Sequence, residues 1–586
     1  MSLTFYGAFS GLFYTMALGA IWPSRGDMDF STALLDLIAK SLWLSWLVVV
    51  LSFFLNLPNP IKPLCAGVGA AIVVQAFLHR RVLLQPGATA LPLVIALGVS
   101  AILFFGGLGS AYEVIFLTND AVVSWNRWGV ELSKNVYNPW NAAYPVLFPG
   151  VWSLIYKAQQ SASVWVFAKL TLFVLVLILG LLVGRLLSCG LIICAAALAV
   201  FSAFFFVGWH AFPLLKGDMD IPVSVMCLAA CVSILVVADH IERTSPETGD
   251  SIILAALFVG LATITKQPGV TLLVPFFVLL AIAWWTKAIT GKISILVMAI
   301  ALVPLATFLA VYFTREANAI GNLEVLRNIT QRVAKDRHPL QLATEHLVVG
   351  SIPAKALLPV IGCTLLNLVN VRRLSNKIGL LLLALSVVGF LQYANCCAYD
   401  TRNVWWVVAL LFGSALFGLK NLDVFRVAPS AAQSWPAAYL RGALLCLSIL
   451  IGLAVADRIP DATIAEVQVR EQARVLGPNF ARMFKTSFLP IQDPSDVLIS
   501  ENGIAEWLPG MTSNFVVCGS TDRRCFVRAA KQYPEARMFV LIERGNLEYP
   551  IIADRLTEEY LIGKAQPFEL YGPFSASELA RAAAPP

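Results

Sequence analysis

Apolar runs long enough to cross a bilayer recur along roughly the first 460 residues, and no other feature limits the possible fold as strongly. Hydrocarbon offers no water to satisfy backbone N–H and C=O groups, so such runs cross as helices that pair their own backbone. Candidate spans lie near residues 3–22, 41–57, 64–79, 90–108, 163–184, 189–207 and 221–238. Others lie near 251–265, 270–286, 293–313, 357–370, 378–394, 404–419 and 442–457, about fourteen in all. Of 586 residues, 58% are hydrophobic and 13% charged, against about 25% charged in a soluble domain. The expectation is a polytopic α-helical membrane protein. The first 22 residues lack the basic segment and small-residue cleavage site of a signal peptide and read as the first span.

A formal net charge of +7 says little about partners, because basic residues in membrane proteins mainly set orientation. No basic low-complexity segment or nucleic-acid motif is present, so membrane lipids are expected as partners and nucleic acid is not. The cations at 79–81, Arg185, 240–243, 286–292, 372–377 and 419–426 fall on alternate loops and so on one side. That side is expected to be cytoplasmic. Both termini, the segment after Asp120, the loop at 209–220 and the stretch 314–356 then face outward.

Character changes near Asp457. Short β-type runs at 497–500, 515–519 and 538–543 alternate with helical stretches such as RRCFVRAAKQY, which implies a small α/β domain. Cys518 and Cys525 stand close enough to bridge in an oxidising compartment, or to remain two free thiols. The expected division is 1–89 as additional N-terminal spans, 90–458 as a transmembrane core and 459–586 as an extracytoplasmic α/β domain.

The outward helix mouths carry residues that are costly beside hydrocarbon: Asp120, Lys216, Asp218, Asp220, Lys266, Asp400 and Arg402. Each has a structural explanation when taken alone. A lysine can anchor at the interface, and Asp220, ahead of Ile221 and Pro222, suits an N-cap. Together, carboxylates and cations at the mouths of different spans can converge on a cavity suited to abstracting a proton and parting a phosphate.

TNDAVVSWNRW (118–128) with the following YNPWNAAYPVLFPG resembles the first extracytoplasmic loop of the GT-C glycosyltransferases, which include protein O-mannosyltransferases and lipid A aminoarabinose transferases. KGDMDIPVSVMCLAA is similar to their second loop, GLATITKQPG to their GLAxLTKxPG segment, and DTRN to an Arg motif near the last core helix. The four matches follow the family's order over roughly residues 90–420.

The resemblance implies an enzyme that takes a sugar from a polyprenyl phosphate. It acts on the periplasmic side of a bacterial inner membrane, and the acceptor is a lipopolysaccharide, a cell-wall glycan or a protein. By position, Asp120 would be the general base. Asp218 or Asp220 would orient the acceptor or a metal, and Lys266 and Arg402 would hold the donor phosphate. The cation that some members place late in the first loop has no direct counterpart; Lys157 fits poorly and Arg127 is a substitute. His210 beside Asp218 and Asp220 reads either as a ligand for a divalent ion or as an interfacial histidine. One base opposite the leaving group implies inversion. No P-loop or Rossmann fingerprint is present. The rivals are a transporter or lipid-linked sugar flippase, for which mid-span charges and inverted repeats are expected, and an inactive scaffold.

Overall fold

The computed structural model describes residues 30–56, 90–107, 125–137, 145–159, 168–169, 171–203, 219–314, 339–345, 347, 354–396, 401–422, 495–500, 514–518, 523–543, 558–565 and 568–583. The chain divides into two compact units, with all the helices up to residue 422 in the first and residues from Ile459 onward in the second. In chain order the helices of the first are α1 (Phe30–Leu55), α2 (Ala90–Gly107), α3 (Arg127–Ser133), α4 (Leu147–Gln159), α5 (Phe173–Ser188), α6 (Ile192–Ser202) and α7 (Asp220–Glu242). They continue as α8 (Thr248–Thr263), α9 (Leu273–Trp285), α10 (Gly291–Phe313), α11 (Pro339–Glu345), α12 (Ala354–Leu365), α13 (Leu374–Cys396) and α14 (Trp405–Leu419).

Among the described residues, six helices are long and apolar enough to cross a bilayer: α1, α7, α9 with the 3-10 turn leading into it, α10, α13 and α14. The expected spans at 90–108, 163–184, 189–207, 251–265 and 357–370 correspond to the shorter apolar helices α2, α5, α6, α8 and α12. Those expected at 3–22, 64–79 and 442–457 lie outside the described residues. The chain is a multi-pass membrane protein. One boundary differs in an informative way: the span expected from residue 41 begins at Phe30. Asp36 and Lys40, one turn apart, pair at 2.9 Å and are both buried, so charges that look like a break in the sequence neutralise each other inside the helix.

Apolar side chains surround α7, and its most hydropathic window is 100% buried against 28% for α10. A helix that is apolar all round belongs at the centre of a bundle, while among the described residues most of the surface of α10 is left uncovered. Trp43 Nε1 on α1 donates to the Ile300 carbonyl of α10, and Trp46 Nε1 donates to Thr307 Oγ1, both at 2.9 Å. Small residues bring α5 against α2: a Cβ at Gly180 would strike the Ser100 hydroxyl, so the backbones meet as small-xxx-small packing allows.

Polar groups sort to the two ends of α7, which are about 33 Å apart at 1.5 Å per residue. At its C-terminal end, Lys420 pairs with Asp239 at 2.9 Å and Glu242 at 2.7 Å. Arg243 pairs with Asp239 at 2.8 Å, and Ser375 donates its N–H and hydroxyl to Glu242 at 2.7 and 2.8 Å. Arg185 Nη1 reaches Ser233 at 3.3 Å on the same half of α7. These contacts bring four expected inward loops, at Arg185, 240–243, 372–377 and 419–426, to one end of the bundle. The opposite end holds Asp220.

The second unit contains β1 (Val497–Ser500), β2 (Asn514–Val517), α15 (Arg523–Gln532), β3 (Met538–Glu543), β4 (Leu561–Ala565), β5 (Phe568–Phe574) and α16 (Ala576–Ala583). The sheet order is β2-β1-β3-β5-β4, with β2, β1 and β3 parallel and β5 and β4 antiparallel. One face packs Val497, Ile499, Val540 and Tyr571 against Phe526 of α15 and Leu579 of α16. Cys518, just past β2, is bridged to Cys525 in α15. Ser575 and Glu578 form a reciprocal capping box at the start of α16, and the Ser575 N–H and hydroxyl hold the Glu578 carboxyl below its ordinary range.

Candidate functional site

The first unit converges on Lys266. Helix α8 ends at Thr263, and Pro268 in the next turn cannot extend it. Lys266 stands between in an extended conformation, capping the 3-10 turn Gln267–Leu272. That turn folds back so tightly that a Cβ on Gly269 would collide with the Ala262 carbonyl, so only glycine fits. The backbone therefore points the Lys266 side chain toward the start of α7. There its ammonium forms a hydrogen-bonded ion pair with Asp220. It also approaches Asn403 Oδ1 at 3.4 Å, in the 3-10 turn Thr401–Val404 that enters α14.

Lys266 is 9% exposed and Asp220 7%. A lone buried ion would be expensive, and each is tolerated through the other. Asp220 is the first residue of α7, where the positive end of the helix dipole favours a carboxylate. Its side chain makes no capping bond, because Met219 holds the N-cap position; the N-cap reading of Asp220 is corrected to an ion pair. Lys266 is likewise a buried partner rather than an interfacial anchor. On the neighbouring side, the Leu147 N–H donates to the Ile264 carbonyl at 2.8 Å. Segments MDIP, TKQPG and TRN, which lie far apart in the chain, thus meet at one lysine, and Leu147 is hydrogen-bonded two residues before it, at Ile264.

Of the sequence-derived site residues, Asp220 and Lys266 come together. The backbone of Arg402 lies in the turn beside Asn403. Asp120, His210, Lys216, Asp218 and Asp400 lie outside the described residues. Arg127 begins α3 and its Nε pairs with Glu131 at 3.0 Å, so its charge is engaged one helical turn away. Among the described residues, no group of three or more His, Cys, Asp or Glu is placed to hold a metal ion. Asn403 was not singled out from the sequence; its signal was a further polar residue in the DTRN tetrapeptide.

Lys157 does something the sequence did not suggest. Its ammonium donates to Ser52 Oγ of α1 and Asn135 Oδ1, and Asn135 Nδ2 donates to Asn56 Oδ1 at 2.7 Å. Asn56 (φ 52) and Asn135 (φ 58) are left-handed residues that follow the C-terminal ends of α1 and α3. A cation beside two helix C-termini is favourably placed, and it fastens α3 and α4 to the end of α1. Burial brings its pKa down to about 8.

No protein-family model matches the chain, and no curated protein matches it. Among solved structures, the chain is similar to the crystal structure of ArnT from Cupriavidus metallidurans bound to undecaprenyl phosphate. The sequence identity is 13%, the TM-score is 0.45, and the match covers 85% of this chain and 100% of that one.

Proposed function

We propose that the chain is an integral-membrane glycosyltransferase of the GT-C type. It would move a sugar from a polyprenyl-phosphate donor to the hydroxyl of an extracytoplasmic glycan, lipid or protein. The observation that carries this reading is the Lys266 ammonium, buried with Asp220 and Asn403 where three motif-bearing segments meet. A point charge held away from bulk water at a helix mouth suits a lipid-borne phosphate, and its interactions there are stronger than in water.

In the proposed step the acceptor oxygen attacks the anomeric carbon. Its proton goes to the Asp120 carboxylate, the new C–O bond forms, and the bond from that carbon to the phosphate oxygen breaks. The polyprenyl phosphate leaves with the electron pair on its phosphate oxygen, and Lys266 and Arg402 act where that charge develops. The site end of α7 is opposite the cation-rich end, so the positive-inside rule turns the site outward. The Cys518–Cys525 bridge agrees with an oxidising outer compartment for the tail.

Lys266→Ala and Arg402→Ala each remove a charge-assisted contact of about 1.5–3 kcal/mol. In proteoliposomes supplied with a polyprenyl-phosphate-linked sugar, each should raise the donor KM or lower kcat/KM by roughly ten- to a hundredfold. Unchanged donor kinetics in both variants would make these residues structural and end the proposal.

A further inference from the structure

Resting on that reading, we infer that Asp220 makes the site sensitive to the charge of the lipid phosphate, holding the donor and expelling the product. The two differ in a way the reaction itself imposes. A sugar-linked polyprenyl phosphate is a diester with one negative charge. After transfer the phosphate is a monoester whose second ionisation falls near pH 6, so at pH 7 it carries about −1.5 to −2. Chemistry therefore adds about one half to one full charge to a group that stays bound to the same lysine.

Asp220 shares the Lys266 ammonium. Any phosphate on that ammonium lies one hydrogen-bonded shell from the carboxylate, on the order of 6 Å away. Both residues are more than nine-tenths buried, so salt screens this repulsion poorly. At the effective dielectric of a partly buried site, one additional like charge at that distance weakens binding at least tenfold. Asn403, which also meets the ammonium, is neutral, so it steadies Lys266 without opposing either lipid. Among the described residues, a neutral and a charged group both hold the lysine, and only the charged one opposes the product.

The test is the ratio of two dissociation constants, measured on the full-length protein in detergent at pH 7.5. One is for a polyprenyl monophosphate and the other for its methyl diester, which keeps one charge. Asp220→Asn should tighten the monophosphate about tenfold more than the diester, lowering the ratio. Asn403→Asp, which places a second carboxylate on the ammonium, should raise the ratio; this variant keeps the test open if Asp220→Asn folds poorly. Lys266→Ala should weaken both lipids. An unchanged ratio in either Asp220→Asn or Asn403→Asp, with Lys266→Ala still weakening both lipids, overturns the inference and leaves the donor-site reading intact. Unaltered binding of both lipids to Lys266→Ala overturns the donor-site reading itself.

Discussion

Neutralising Lys420 should loosen the end of the bundle opposite the site. The side chain is 1% exposed and pairs with Asp239 and Glu242. Lys420→Met keeps most of the apolar stem and removes only the charge. Breaking a buried pair by deleting one partner typically costs about 3–5 kcal/mol, because the other ion is left uncompensated. Here both carboxylates keep some support: Asp239 retains Arg243 at 2.8 Å, and Glu242 retains two hydrogen bonds from Ser375. The low end of the range, about 3 kcal/mol, therefore applies, a shift of roughly a hundredfold in the unfolding equilibrium. Reversible unfolding in SDS titrations of the detergent-solubilised protein measures this. Adding Glu242→Gln to Lys420→Met should restore part of the loss, since it removes one orphaned charge. A change below about 1 kcal/mol for Lys420→Met, or no recovery in the double variant, would refute the claim that this cluster locks α7 to α13 and α14.

Four further outcomes follow from the structure. Replacing Cys518 and Cys525 by serine opens an eight-residue loop and should destabilise the C-terminal unit by about 2.5 kcal/mol, read as lost protease resistance of the tail. Gly269→Ala should impair folding, or displace Lys266 and with it donor binding, whereas Gly98→Ala, where a Cβ meets nothing within 4 Å, should be silent in both assays. Burial lowers Lys157 from 10.5 to about 8, so between those values the unfolded chain binds more protons and stability from this group rises with pH; Lys157→Met should remove that rise while costing stability near neutral pH. Cysteines introduced at Lys287 and Arg373 should label only from the cytoplasmic side, and one introduced at Lys564 only from outside; labelling of all three from one side would defeat the orientation.

Much of this was legible in the sequence where local physics decides the outcome. The strands at 497–500, 514–517 and 538–543 announce themselves by branched and aromatic residues between turn signals. The strands at 561–565 and 568–574 do not, because Gly563, Lys564, Glu569, Gly572 and Pro573 are poor strand formers. They pair through partners only the folded sheet supplies, such as Lys564 on Glu569 at 2.8 Å. The start of α1 was hidden by Asp36 and Lys40, whose mutual neutralisation needs helical geometry. At the site, Asp220 and Lys266 stood out as ions that hydrocarbon would not tolerate alone. That each is the other's partner, across 46 residues, is tertiary information carried by no local pattern. Asn403, 137 residues from Lys266, and the clasp at Lys157 were invisible for the same reason.

The central claim is sugar transfer from a polyprenyl phosphate with Asp120 as the base, and following both products in proteoliposomes tests it most directly. A donor labelled in its sugar is supplied with candidate acceptors, and glycosylated acceptor and free polyprenyl phosphate are quantified together. The account predicts that they form in equal amounts on the outward face. Asp120→Asn should cut the rate by about 10²–10⁴-fold, the usual contribution of a general base, while the protein still folds. Transfer by Asp120→Asn at the wild-type rate would contradict the account, as would a lipid that crosses the bilayer with its sugar–phosphate bond intact.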